Sequence, residues 1–444
     1  MSNRVVPFHY KDCSQGVFLF MGALNIYSVG LDVSSRSSMV AIAQTSFPSL
    51  QVKIGKPFSI AHTNEGLKDL IERLRALGGE IKILMEHTGR YYESVAMTLH
   101  NAGLFVSAIN PLLIKEDGNG ELRGVKTDKA DAKKIAEFGV KYWAKLREYT
   151  PDDTIRYNLK TLNRQFQFYS ETRTAHTNNL IALLEQTYPG VKALFKSPVR
   201  KDGHQKWLDF VERFWHVNCV REISLEEFTE QYRVFCKERR YQFSTKKAAE
   251  IYSHAQQLIP LTPMSESSKL LVQEAVNQVN TISRTVETLR AEMNRTASQL
   301  PEYDTVMNIA GVGPSLGPQL IAEIGDIRRF KNKHSLPSYA GIDPGKKQSG
   351  ALNVRSNKTS QRGSPHLRKA AFLVMGSLMR CKLVDDPVYQ FLTKKRAEGK
   401  HYYVYMTAGA NKFLRMYYGK VRDCLKEKGL WDVNEPETSS EVTE

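Results

Sequence analysis

The chain has 444 residues, room for two to four domains at roughly 100–200 residues each, and its 41% hydrophobic and 10% aromatic residues suffice for ordinary cores. The formal charge is +16, and because Asp432 to Glu444 carry five acids and no base, the rest of the chain carries +21. That balance fits a polyanionic partner, whose condensed counterions are released by phosphate contacts, and it also fits a merely basic soluble protein. A membrane span is excluded for want of a run of about 18 apolar residues, and a zinc ribbon because Cys13, Cys219, Cys236, Cys381 and Cys424 form no Cys-x-x-Cys pair.

In chain order, residues 1–25 are an N-terminal extension. Val17 to Leu24 is apolar, but too short for a span and without a cleavage site. Ile26 to Val33 and Ser38 to Gln44 are β-branched, apolar and separated by a polar turn, which predicts a hairpin. Lys56 to His62 supplies a third strand, and Asn64 to Leu77 a helix with Asn64 as its cap. Ile81 to Glu86 is a fourth strand, Tyr91 to Ala102 a helix, and Leu104 to Ile109 a fifth strand. A polar loop then leads to a helix over Asp128 to Val140. Three strands followed by alternating helices and strands predict a mixed-sheet α/β domain over 26–145.

Residues 150–300 change character. Ile155, Leu159, Leu162, Phe166, Tyr169, Arg173, His176, Leu180 and Leu183 step alternately by four and three, as do Val272, Ala275, Val279, Ile282, Val286, Leu289, Met293, Thr296 and Leu300. Each ladder puts one mostly apolar stripe along a helix, as in a coiled coil. The two helices can pair within one chain or between subunits. The insertion at 190–262 mixes basic and aromatic residues, as at Lys237 to Tyr241. That mixture suits backbone contact and base stacking, and equally a solvated basic face over a helical core. Residues 301–428 form a further, mainly α region. It holds the Gly-x-Gly turn of Gly311 to Gly313, which can offer backbone N–H groups to a phosphate. Residues 429–444 read as a disordered acidic tail.

Asp32 and Glu86 end strands; Asp128 and Asp131 lie three apart on one helix face. Four converging carboxylates can hold hard divalent cations such as Mg²⁺ or Mn²⁺, and two ions about 3.5–4 Å apart serve phosphoryl transfer. Asp128 could equally cap its helix, and Asp131 could be an exposed acid. Glu86 stands where an apolar residue would be cheaper.

The segments Gly30-Leu31-Asp32-Val33-Ser34, Met85-Glu86-His87-Thr88-Gly89, Asn110-Pro111 and Lys126-Thr127-Asp128-Lys129-Ala130-Asp131-Ala132 resemble the DEDD transposases of the insertion-sequence family "one-ten", relatives of the Piv-type DNA invertases. Tyr339-Ala340-Gly341-Ile342, Ser349-Gly350, Thr359-Ser360-Gln361-Arg362-Gly363-Ser364 and Leu367-Arg368 resemble that family's second domain. The resemblance implies an RNase H-like (RuvC-like) first domain with Asp32, Glu86, Asp128 and Asp131 as Mg²⁺ ligands, a coiled-coil middle, and Ser360 as nucleophile. Gln361 stands where the family's motif has Lys, and Ser364 where it has Asn. It further implies donor and target double-stranded DNA as substrates, guidance by a structured element-encoded (bridge) RNA, and a homo-oligomer, dimer or tetramer. A bacterial or archaeal cytoplasm, at the nucleoid, is the expected place, in keeping with scattered reduced thiols. Arg362, Arg368 and Lys358 are the expected nucleic-acid contacts. Two other functions compete: a RuvC-like hydrolytic junction nuclease using the carboxylates alone, and a non-catalytic nucleic-acid-binding protein.

Overall fold

A computed structural model describes residues 25–46, 51–87, 89–118, 127–151, 153–196, 198–200, 202–343, 348–349, 352–353 and 359–431. The expected N-terminal extension, most of the acidic tail and Lys358 lie outside the described residues. The chain divides into two units between Pro151 and Asp152, each described here by itself.

In the first unit, β1 (Asn25–Val33) and β2 (Ser37–Ser46) form the expected hairpin, with Asp32 opposite Met39. The expected third strand is β4 (Phe58–Ala61), preceded by a short β3 (Lys53–Ile54) not read from sequence, and both are antiparallel to β2. Then come α1 (Asn64–Arg75), β5 (Glu80–Glu86), α2 (Tyr91–Asn101), β6 (Phe105–Ile109), α3 (Pro111–Gly118) and α4 (Asp128–Lys141). β5 lies parallel to β1 and β6 parallel to β5, giving the order β3-β2-β1-β5-β6 with β4 on β2. An antiparallel meander extended by two crossover-connected parallel strands is the RNase H-like arrangement.

Two local expectations change. Thr63, not Asn64, caps α1: it is extended (φ −118°, ψ 161°) and its Oγ1 accepts from Gly66 N at 3.1 Å. A cap must sit outside helical geometry, and Asn64 is already inside it. Residues 111–118, expected as loop, are helical. Pro111 opens α3 where no N–H is needed, and Asn110 Oδ1 accepts from Leu112 N at 3.0 Å.

Strand alternation sorts the sheet's two faces. Val29, Leu31, Ile83, Met85 and Val106 pack on one face with Leu67, Leu70 and Leu74 of α1 and Val95 and Leu99 of α2. The other face carries α4, with Leu84 against Ile135 and Phe138, and Ala41 and Ala43 against Ala132 and Ala136.

The second unit is helical, apart from a two-residue ladder of β7 (Gln348–Ser349) and β8 (Leu352–Asn353). α5 (Thr154–Thr187) and α10 (Glu266–Ala297) carry the two ladders and pair antiparallel within the chain. At one end Leu159 and Phe166 share a core with Val286, Met293 and Ala297; at the other Leu180 and Leu184 share one with Val272, Val276 and Val279. On α5 the stripe turns polar between the two cores at Arg173, which lies 3.7 Å from Glu287 of α10.

The insertion supplies α6 (Lys206–Arg213), α7 (Asn218–Arg221), α8 (Leu225–Glu238) and α9 (Thr245–Gln256). Its aromatics are core. Phe210, Phe214, Phe228, Tyr232 and Phe235 are buried, and Tyr241 donates to the buried Asp209 at 2.6 Å. Lys206 sits outside them, 5.3 Å from the Tyr232 ring centre. Aromatics that the sequence offers for base stacking are therefore used to build a small core, which leaves the solvated basic face. After α10 come α11 (Tyr303–Met307), α12 (Gly313–Ile324), α13 (Ser335–Ala340), α14 (Pro365–Cys381), α15 (Pro387–Ala397) and α16 (Tyr402–Glu427). These share the core at the Leu159 end, so residues expected as a helical middle and as a C-terminal region pack into one interior. Among the described residues no helix is long and apolar enough to cross a membrane.

Candidate active site

The four acids of the first unit are placed by secondary structure. Leu31 pairs with Met85 in the parallel β1–β5 ladder, so Asp32 and Glu86 are the next residues of two neighbouring strands. By alternation both lie on the face that carries α4, in line with Gly30 and Leu84. α4 crosses β1 at Gly30, where a Cβ would come within 2.3 Å of Ala132 O and 2.4 Å of Ala136 N. No side chain fits there, and this close approach brings the first turn of α4, with Asp128 and Asp131, to the strand ends. Thr127 caps that helix, its Oγ1 accepting from Ala130 N at 3.3 Å, so Asp128 is exposed and not needed as the cap.

The electrostatics report the convergence. Burial, then the Asp128 and Asp131 carboxylates, raise Asp32 above the ordinary aspartate range. Burial, then Asp32 and Asp131, do the same to Glu86. Mutual repulsion of this kind is what a bound cation would relieve. Among the described residues, no three His, Cys, Asp or Glu side chains are drawn tightly enough together to hold one ion. Their charges influence one another, yet the four carboxylates do not close on one point. All four offer hard carboxylate oxygen, so the donor chemistry fits a divalent cation of the Mg²⁺ type.

Ser360 belongs to the second unit and is placed by tertiary contacts. Its turn, 360–364, packs back to back with the end of α13. Gln361 N donates to Gly341 O at 3.0 Å and Ser364 N to Tyr339 O at 2.7 Å. Gln361 is itself left-handed (φ 51°). A Cβ on Gly363 would meet Tyr339 O at 2.2 Å and Gly341 N at 2.4 Å, so the two backbones touch. Ser360 Oγ donates to Asp343 Oδ1 at 2.8 Å. Ser364, the other hydroxyl of the motif, is committed elsewhere. It caps α14, accepting from Leu367 N at 3.2 Å, and it reaches Glu323 Oε2 at 3.4 Å. Arg368 is half-buried and donates to Ala340 O at 2.9 Å, which ties α14 to the α13 end. Arg362 is exposed in the same turn. Within the Gly-x-Gly turn, a Cβ on Gly311 would meet Leu378 of α14 at 2.7 Å, so this turn serves helix packing.

Two residues were missed from sequence. Asp343 follows the Tyr339–Ile342 motif by one position, and nothing in its spacing links it to Ser360. Glu323 is 1% exposed and accepts from Asn163 Nδ2 at 2.6 Å and Arg164 Nη2 at 3.0 Å, besides Ser364. Burial pushes its carboxyl up, against the pull of Arg164 and Asn163. An acid inside the apolar run Gln319 to Ile324 was its signal, the same one that exposes Glu86.

Two family models match the chain: one of transposases carrying the DEDD motif, over residues 29–189, and one of the IS116/IS110/IS902 transposase family, over residues 303–390. Together they cover more than half of it. An uncharacterized 43.6 kDa protein of insertion element IS110 from Streptomyces coelicolor is 21% identical, across 80% of this chain and 85% of its own. The pilin gene-inverting protein of Moraxella bovis is 24% identical, across 77% of this chain and 80% of its own. RuvC of Thermus thermophilus is similar in structure over 28% of this chain and all of its own, with a TM-score of 0.22 and 13% identity.

Proposed function

Because the chain belongs to the IS110 family of transposases, we propose that it cuts and rejoins DNA strands through a covalent phosphoserine link formed by Ser360. A transposase needs to break phosphodiesters without losing their bond energy, and a serine ester to phosphorus keeps that energy for the next strand. The observation that carries the reading is the contrast between the two serines of the motif. Ser364 caps α14, whereas Ser360 Oγ meets a carboxylate, Asp343.

Ser360 attacks phosphorus and displaces the 3′ oxygen, leaving a 5′-phosphoserine. Arg362 lies within the motif and Arg368 in the first turn of α14, and guanidinium groups there would offset charge on the pentavalent phosphorus. Asp32, Glu86, Asp128 and Asp131 would hold Mg²⁺, or Mn²⁺ in its place. The ion would supply Lewis-acid chemistry toward a DNA phosphate. The acids' own part is to hold that ion, since without a cation their charge repels DNA phosphate. Donor and target duplex DNA are the proposed substrates. A structured RNA encoded by the element, pairing with both, is the proposed guide, and the +21 charge outside the acidic tail supports a nucleic-acid surface of that extent. A homo-oligomer, dimer or tetramer, is the proposed acting form.

The test is to incubate the purified chain with Mg²⁺, element-junction DNA labelled at its ends and RNA transcribed from the element's non-coding region, then denature and resolve protein–DNA adducts. An adduct formed by the wild type, and absent from Ser360→Ala and Asp32→Ala, is the expected result. Cleavage without an adduct would replace this reading with hydrolysis by the carboxylates alone.

A further inference from the structure

Ser360 Oγ is held by a carboxylate that no motif assigns. Asp343 lies just past α13 and is half-buried. Both of its carboxylate oxygens are engaged by hydroxyls: Ser360 Oγ donates to Oδ1 at 2.8 Å, and Ser338 Oγ donates to Oδ2 at 2.9 Å. The backbones are joined as well, Ser360 N donating to Asp343 O at 3.1 Å. The carboxylate is thus held by two hydroxyls and its backbone by a third bond, with one oxygen aimed at the hydroxyl of the motif serine. A serine hydroxyl is a weak nucleophile until a neighbouring base takes its proton, and hydrogen-bond contact is the first requirement of such a base.

We infer that Asp343 is the catalytic base of Ser360, with Ser338 as the positioning residue that orients its carboxylate; the inference rests on the serine reading above. In the step, Oγ bonds to phosphorus as its proton passes to Asp343 Oδ1. The bond from phosphorus to the 3′ oxygen breaks, and its electron pair leaves on that oxygen. The 3′ oxygen takes a proton from water, and the proton on Asp343 passes to solvent, so charge and atoms balance. On rejoining, a 3′ hydroxyl attacks the phosphoserine and passes its proton to water, the bond from phosphorus to Ser360 Oγ breaks, and Oγ takes the proton that Asp343 has regained from solvent. Among the described residues, the charged groups on the packed elements are Arg368, bound to Ala340 O, Arg362 in the same turn, and Arg329, whose guanidinium lies 4.7 Å from the Tyr339 ring centre.

A structural role would be simpler: the same bonds staple residues 338–343 to the serine turn. Asp343→Asn separates the two, because it keeps shape and the Oδ1 acceptor but cannot take a proton. With the full chain, Mg²⁺, junction DNA and the RNA, the adduct should form at least about 10²-fold more slowly in Asp343→Asn, with DNA affinity and Tm unchanged. An unchanged adduct rate overturns the inference and leaves the serine reading standing. Cleavage that persists in Ser360→Ala with no adduct in any variant overturns both. A measurement without DNA checks the contact itself. In Ser360→Cys, iodoacetamide alkylation of the peptide containing position 360 should rise several-fold at neutral pH when Asp343→Asn is added, because a facing carboxylate disfavours the thiolate. No change would mean that the two side chains do not meet in solution, and the inference falls.

Discussion

The carboxylate cluster of the first unit and the serine turn of the second are built in opposite ways. Asp32, Glu86, Asp128 and Asp131 are set by strand register and one capped helix, over a close packing that a single glycine permits. The serine turn has almost no secondary structure of its own. It is held by backbone bonds to α13, by Ser364 capping α14, and by Glu323, which reaches Ser364 from α12 and Asn163 and Arg164 from α5. A site made of element ends rests mainly on strand register and helix packing. A site made of a loop held by distant groups depends on each of them.

The sharpest way to break that contrast is at the acids. Glu86→Gln should lower strand cleavage by roughly 10²–10³-fold or more, measured as product per unit time with DNA, Mg²⁺ and RNA. Its Tm should stay within a few degrees of wild type, since the fold does not need the charge. A Tm collapse would show that the carboxylate also holds the sheet end together.

Gly30→Val comes next, as the one change that should ruin the first site through packing alone. Its Cβ has no room against Ala132 O and Ala136 N, so overpacking should cost about 1–3 kcal/mol or more in urea denaturation, and cleavage should fall with it. Stability equal to wild type would mean that α4 approaches β1 less closely than described.

On the second unit, Glu323→Ala should cost about 3 kcal/mol, because it leaves the buried Asn163 and the half-buried Arg164 without their acceptor. Glu323→Gln should cost much less, and its deficit should depend on pH. The folded-state pKa of Glu323 is raised above its ordinary value of 4.5, so the wild type gains stability below that value and loses it as pH rises through the folded pKa. The deficit of Glu323→Gln should therefore shrink as pH climbs from about 4 toward neutrality. A deficit that grows instead would show the carboxylate to be held charged by Arg164.

The smallest effect is expected from Thr127→Ala, which removes the cap of α4 at a cost of about 1 kcal/mol. Fraying there should displace Asp128 and Asp131 together, so Mg²⁺ affinity, read by titration calorimetry, should weaken more than stability does. Unaltered affinity would mean that the packing at Gly30, not the cap, positions the acids.

How much was legible follows the same division. The hairpin, the parallel strands and the helix over Asp128 to Val140 were readable because hydrophobic period and turn residues are local signals. The two ladders were readable for the same reason, and their polar steps at Arg173 mark where the two cores of the second unit part. The aromatics of the insertion could not be sorted from sequence, since a ring facing a core and a ring facing a nucleic-acid base look alike in composition. Only packing decided for the core.

By itself the sequence determined the kinds of group this protein commands: four acids at strand and helix ends, a serine in a polar turn, and a basic chain around them. Tertiary structure alone decided which groups meet. Asp343 is 17 residues from Ser360 and Glu323 is 160 from Asn163, and chain separations of that size carry no periodic signal. What joins them is the closing of a loop onto a helical core, and that free energy depends on the whole unit and not on any stretch of it.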